Sequence, residues 1–233
     1  MKVQQPQIIA MGGGGFSMEP DNPALDIYVL QQARRSNPKI CFVPTASGDA
    51  VRYTANFYRA YRQLECVPSH LSFFERTPDL RSLVLAQDIV YVGGGNTKSM
   101  LAVWREWGFD TILREACESG VILAGISAGA ICWFEQGVTD SFAGDLQVMD
   151  CLGLLKGSCC PHYDGEADRR PSFHKMLLEG HIRPGLAVDH SAAVHFVGNE
   201  IRRVVVSRAQ ANAYRMSIVN GSVKEEVLDK TVL

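Results

Sequence analysis

Short apolar runs alternate with longer amphipathic ones through the first half of the chain. Residues 7–11 form a brief apolar run that ends in Gly12-Gly13-Gly14-Gly15. Residues 23–35 place Leu25, Val29, Leu30 and Ala33 on one side of a predicted helix. Residues 39–44 predict a second strand, 53–64 a helix rich in aromatics, and 69–74 a third strand. A fourth strand, 86–92, ends in Gly93-Gly94-Gly95. Helical patterns at 97–107 and 111–119 precede a fifth apolar run at 120–124. Strands alternating with helices of about 10–15 residues predict right-handed βαβ units. The expected fold class is therefore α/β, a mostly parallel doubly wound sheet with flanking helices. The last third is richer in strands, at 186–189, 192–197, 201–206 and 213–219. Turns such as Gly198-Asn199 and Asn220-Gly221 join them, and they are expected as hairpins that continue or flank the same sheet. No internal repeat or long linker interrupts the pattern, so one domain over residues 1–233 is expected.

Composition adds bounds. The chain has 233 residues, 46% hydrophobic and 21% charged, enough apolar material for a buried core. A net charge of −2 gives no electrostatic reason to expect nucleic acid or an anionic membrane as partner. No apolar run is long enough for a membrane span, and the N-terminus lacks a secretory apolar region. Seven cysteines, an odd number scattered through apolar segments, read as reduced thiols of a cytoplasmic protein. Cys159 and Cys160 are adjacent, without a second pair at metal-finger spacing, so no metal site and no cofactor are expected.

Chemistry concentrates in Gly125-Ile126-Ser127-Ala128-Gly129, which fits Gly-x-Ser-x-Gly, the form of a nucleophile elbow. It follows the apolar run at 120–124 and precedes a helix-compatible run at 130–135. A sharp turn there strains the serine backbone and lifts its hydroxyl above the sheet edge. The Ala128 N–H, at a helix start, then points where an oxyanion would form. Gly93-Gly94-Gly95-Asn96-Thr97 lies between a strand and a helix, with Asn96 or Thr97 as N-cap or a backbone N–H as second oxyanion donor. Gly12 to Gly15 fits neither the dinucleotide-binding nor the P-loop pattern and reads as a strand-end turn that leaves room in a cleft.

A nucleophilic serine needs a base. His70, His174 and His181 read as surface or structural. His162 follows Pro161 and opens a charged loop with Asp164, Glu166, Asp168, Arg169 and Arg170, which makes it the first candidate, with His190 next. The third member should be a carboxylate that orients the imidazole. Glu135, Asp140 and Asp145 all lie between the serine and the histidine. Asp140, in a loop beyond the helix expected to end near Gly137, is the easiest to aim, and Glu135 could reach back from that helix.

Taken together, Val92-Gly93-Gly94-Gly95-Asn96-Thr97, Gly125-Ile126-Ser127-Ala128-Gly129-Ala130 and Pro161-His162 resemble, in order and spacing, the peptidase E family of serine peptidases, which includes aspartyl dipeptidases and cyanophycin-degrading relatives. That resemblance implies a class I glutamine amidotransferase-like fold. It implies Ser127 as nucleophile, His162 as base, the N–H groups of Gly95 and Ala128 as oxyanion hole, and Asp140 as acid, with Glu135 the alternative. It also implies Arg170 as the binder of a substrate carboxylate, and Asn96 joins it as a substrate-binding candidate. The expected activity is a serine exopeptidase acting on dipeptides or short peptides with an acidic first residue, as a possible homodimer. The alternatives are a non-catalytic ligand-binding member of the same fold, or an esterase or amidase on non-peptide substrates.

Overall fold

The apolar runs become the strands of a central sheet, and their alternation explains why both faces are covered. The structure, a computed structural model, describes residues 5–233. In chain order the first half comprises β1 (Gln7–Met11), α1 (Gly15–Met18), α2 (Ala24–Gln31), β2 (Lys39–Val43), α3 (Val51–Tyr61), β3 (Val67–His70), α4 (Leu80–Leu85), β4 (Ile89–Val92), α5 (Thr97–Glu106), α6 (Phe109–Glu118) and β5 (Ile122–Ile126). Then come α7 (Ala128–Ile131), β6 (Phe134–Thr139), β7 (Gln147–Asp150), β8 (Leu155–Cys160), α8 (Arg169–Leu178), β9 (Gly185–Val188), β10 (Ala192–Val197), β11 (Glu200–Val206), β12 (Ala213–Val219), β13 (Ser222–Val227) and β14 (Lys230–Val232). No described helix is long and apolar enough to cross a membrane.

Eight strands form the first sheet in the order β14-β11-β10-β1-β5-β4-β2-β3. The five from β1 to β3 in that order run parallel, joined by helical crossovers. Odd and even residues of one strand serve opposite faces. Ile9 and Met11 of β1 join Phe42, Tyr91, Val29, Phe57 and Tyr61 under α2 and α3. Ile8 and Ala10 join Val92, Leu123, Trp104, Phe109 and Leu113 under α5 and α6. Burial on both faces is why these strands are continuous apolar runs rather than alternating ones.

The rest of the chain departs from expectation in two ways. First, the helix after the elbow ends at Ile131, and the residues from Phe134 onward are a strand. Phe134 and Val138 are buried there, and a run ending in Gly137-Val138-Thr139 favours pleated backbone over helix. Glu135 is therefore not on a helix. Second, only β10, β11 and β14 extend the first sheet. The other late strands, β9, β12 and β13, join β6, β7 and β8 in a separate six-stranded sheet of order β13-β12-β9-β8-β6-β7. Phe134, Leu155, Cys159, Leu186 and Val188 of that sheet share an apolar cluster with Val194, Phe196 and Val206 of the first. Its other face carries α8, through Phe173 and Leu177 packed with Val138, Cys160, Ala187 and Met216.

Candidate active site

The end of β1 organises the site. Three successive carbonyls each hold one neighbouring chain: Met11 O accepts the Ser127 N–H at 3.0 Å, Gly12 O the His162 N–H at 3.1 Å, and Gly13 O the Ser191 N–H at 3.1 Å. The glycine run is thus where the ends of β5, β8 and β9 converge.

Ser127 sits between β5 and α7 with φ 56° and ψ −113°, a conformation L-residues rarely adopt. The flanking glycines are required by contact. A Cβ on Gly125 would lie 2.0 Å from the Gly129 carbonyl oxygen, and one on Gly129 would lie 2.2 Å from that of Val92. The turn is therefore compressed against β4, and the serine at its apex is held rather than mobile. Gly94 borders the hydroxyl, its missing Cβ falling 3.8 Å from Ser127 Oγ. The N–H groups of Ala128 and Gly129 are the first of α7 and have no carbonyl within the helix to bond.

His162 follows β8 and Pro161, also at positive φ, 54°. Its Nε2 lies 2.8 Å from Ser127 Oγ. Its Nδ1 lies 2.6 Å from Nε2 of His190, which stands just beyond β9, and the two rings meet edge to face with centroids 4.7 Å apart. Burial, then the charge His190 and Arg169 can place beside it, pushes the His162 imidazole down to about 4. It is therefore uncharged near neutral pH, with a lone pair available to accept a proton.

Neither expected carboxylate touches His162. Glu135, on β6, accepts the Gly157 N–H at 2.8 Å and the Arg183 guanidinium at 2.7 Å, and these hold its carboxyl below its usual value. The strand pairing of β6 with β8 turns it to that edge. Asp140, just past β6, is 3.3 Å from Arg169 and largely exposed. Asp145 lines a separate cleft. The substrate-binding candidates are likewise occupied. Asn96 caps α5, accepting the Ser99 N–H at 2.8 Å, and its amide donates to the Ser141 carbonyl at 3.1 Å. Arg170 lies over the Tyr163 and Tyr214 rings and 3.2 Å from Glu225.

Arg169 is the residue the sequence pattern underrated. Only 2% exposed, it donates to Glu166 at 2.6 Å and to the Val138 carbonyl at 3.3 Å, and it forms an ion pair with Asp140. It thereby ties the start of α8 to the end of β6 beside the histidine pair. His70, His174 and His195 are engaged elsewhere, with Tyr58, Glu225 and Tyr28 respectively. A cleft of about 700 Å³ is lined by Gly144, Asp145, Glu166, Asp168, Pro171 and Ser172 among others, and so borders the loop after His162.

An elbow serine bonded to a histidine at the end of a neighbouring strand agrees with what the sequence matches. The model of peptidase family S51 covers residues 8–204. The chain belongs to peptidase family S51. As an S51 member it is a serine-type peptidase. It is 56% identical over 220 residues to the uncharacterized peptidase YgaJ of Bacillus subtilis (strain 168), a match covering 94% of this chain and 95% of that protein. It is 22% identical over 191 residues to peptidase E of Shewanella denitrificans, covering 76% and 79%. In fold, this S51 chain resembles the crystal structure of a peptidase from an acI-B1 Actinobacterium, with TM-score 0.71, 18% identity and coverage of 98% and 96%. It also resembles a putative peptidase E of Listeria monocytogenes EGD-e, with TM-score 0.64, 19% identity and coverage of 88% and 100%.

Proposed function

We propose that the protein is an exopeptidase for dipeptides or short peptides in which Ser127 is the nucleophile and His162 the base. The observation that carries this is the 2.8 Å contact between Ser127 Oγ and His162 Nε2 on a strained, glycine-compressed elbow. In the first half-reaction Ser127 Oγ bonds to the scissile carbonyl carbon as its proton passes to His162 Nε2. The carbonyl oxygen, now negative, is received by the N–H groups of Ala128 and Gly95. Each such donor typically contributes about 3–4 kcal/mol. His162 then protonates the leaving amine as the C–N bond breaks, and water removes the acyl group by the reverse sequence.

The free ammonium of a short peptide suits the carboxylates of Glu166, Asp168 and Asp145, which line a cleft bordering the loop after His162. A preference for an acidic first residue would rest on Arg170, whose charge is already shared with Glu225 and two tyrosine rings. The test is hydrolysis of Asp-X, Glu-X, Leu-X and Arg-X dipeptides by wild type and Ser127→Ala. Loss of about 10³-fold or more of the cleavage in the variant is expected. Cleavage confined to Asp-X would support the acidic preference, and cleavage across the panel would discard it while keeping the exopeptidase. Equal cleavage by both proteins would discard Ser127 as nucleophile.

A further inference from the structure

We infer that His190 is the positioning residue of this site: it holds His162 in the tautomer that can accept the Ser127 proton, the role a carboxylate has in most serine peptidases. The inference rests on the reading of Ser127 and His162 as nucleophile and base. Its basis is the 2.6 Å contact between His162 Nδ1 and His190 Nε2, together with the absence of any carboxylate at that nitrogen among the described residues.

The seat of His190 is built for the ring. A Cβ on Gly13 would lie 2.4 Å from His190 Cδ2, and one on Gly165 would lie 2.0 Å from Cε1. Two glycines from different parts of the chain thus clamp the imidazole, and any larger residue at either place would expel it. The His190 backbone is fixed as well, its N–H donating to Asp164 Oδ1 at 2.7 Å. The adjoining Ser191 N–H is held by Gly13 O at 3.1 Å.

Proton placement follows from the contacts. For Nε2 of His162 to receive the serine proton it must be bare, so the ring proton lies on Nδ1 and is donated to His190 Nε2. His190 must then be neutral, with its own proton on Nδ1. As Ser127 attacks, its proton moves to His162 and the ring becomes an imidazolium. The Nδ1–H bond to His190 is then charge-assisted and stronger than in the resting state. No proton need pass to His190.

A carboxylate and a histidine in this position differ in one consequence. When His190 takes up a second proton, its Nε2 becomes a donor. His162 must then accept at Nδ1 and carry its proton on Nε2, facing Ser127, where it cannot act as base. A doubly protonated His190 would therefore leave Ser127 without its base. The charged groups around the pair are Asp164 and Glu166 on the loop, Arg169 on α8, Asp140 beyond β6 and Asp189 beyond β9. Glu19, past Gly14, is paired with Arg208.

The experiment follows the rate at which a fluorophosphonate labels Ser127, from about pH 5 to about pH 8, which needs no knowledge of the substrate. Thermal unfolding of each variant is recorded alongside. His190→Ala should label about 10²-fold more slowly than wild type or worse. His190→Gln places an uncharged oxygen at the same reach, so it should recover to within about tenfold of wild type. Glu135→Gln should label as wild type does. His190→Ala within about threefold of wild type, or His190→Gln no faster than His190→Ala, would overturn the inference while leaving Ser127 as nucleophile. So would Asp140→Asn falling as far as His190→Ala. Failure of wild type itself to label at Ser127 would instead overturn the peptidase mechanism beneath it.

Discussion

Single residues with unusual backbone positions do most of the work at this site. Ser127 and His162 both have positive φ, 56° and 54°, and each is anchored through its N–H to a carbonyl at the end of β1. Such conformations persist only where the surroundings over-determine them. The elbow meets that condition through Gly125 and Gly129, which let β5, α7 and β4 approach more closely than any side chain permits. Gly129→Ala should therefore do two things together. It should lower stability by about 1–3 kcal/mol, the usual cost of overpacking, because the new methyl meets rigid backbone rather than a flexible side chain. It should also abolish fluorophosphonate labelling, since relief of the clash moves Ser127 away from His162. Denaturant titration and labelling on the same preparation check both; an unperturbed midpoint with full labelling would show that the elbow is not compressed.

At the scale of elements, Arg169 is the fastening. It is the first residue of α8, nearly fully buried, and it reaches the Val138 carbonyl of β6, Glu166 of the preceding loop and Asp140. Its two carboxylate partners are about half exposed or more, so their charges remain solvated when it is removed. The loss is chiefly packing and the hydrogen bond to Val138. Arg169→Ala should destabilise by about 1–3 kcal/mol, read as a lower urea midpoint, with faster proteolysis of residues 164–168. The same substitution bears on His162 in a known direction. Arg169 helps depress its pKa, so removal should let the imidazole titrate at higher pH, measurable by NMR of the ring protons. The helix expected at 130–135 failed for an element-scale reason. It stops at Ile131 because Phe134 pairs with Leu155 of β8 and residues 136–139 pair with β7, and this strand pairing outweighs the weak helical preference of a short run.

Over the whole molecule, the buried His195 and half-buried His162 oppose two buried carboxylates in acid. Burial pushes His162 and His195 down to about 4, against 6.5 for the free side chain. The unfolded chain binds those protons first, so the stability these residues confer is present above 6.5 and is lost as pH falls toward 4. Burial pushes Asp26 and Asp189 up to about 6, against 3.8. Here the folded chain binds the proton first, so each costs stability at neutral pH and the cost is relieved as pH falls from 6 to 3.8. Asp26, in the first turn of α2, accepts from the Tyr61 hydroxyl at 2.8 Å, with its other oxygen unpartnered. Asp26→Asn should therefore melt a few degrees higher than wild type at neutral pH and fall more steeply between 6 and 4, because the compensating carboxyl is gone. Thermal melts across that range decide it, and parallel curves for the two proteins would contradict the assignment.

What could be read without the structure is what short stretches of chain determine by themselves. The parallel strands up to β5, with β3 falling earlier than expected, and helices α2, α3, α5 and α6 follow from local periodicity. Ser127 follows from the glycines on either side of it, because a strand-to-helix turn that tight has few sequence solutions. His162 follows from a proline-fixed strand end with a charged loop beyond. Tertiary structure decided the rest. The late strands look alike locally, and only long-range pairing divides them between two sheets. That division carries β9 beside β8, and so brings His190 rather than Asp140 or Glu135 to His162. A carboxylate near in sequence was spent on Arg169 or Arg183, while a histidine 28 residues downstream of His162 became its neighbour. The physical reason is range. Turn chemistry and periodicity act over a few residues, whereas the partner of a side chain at a strand end depends on where every other strand lands.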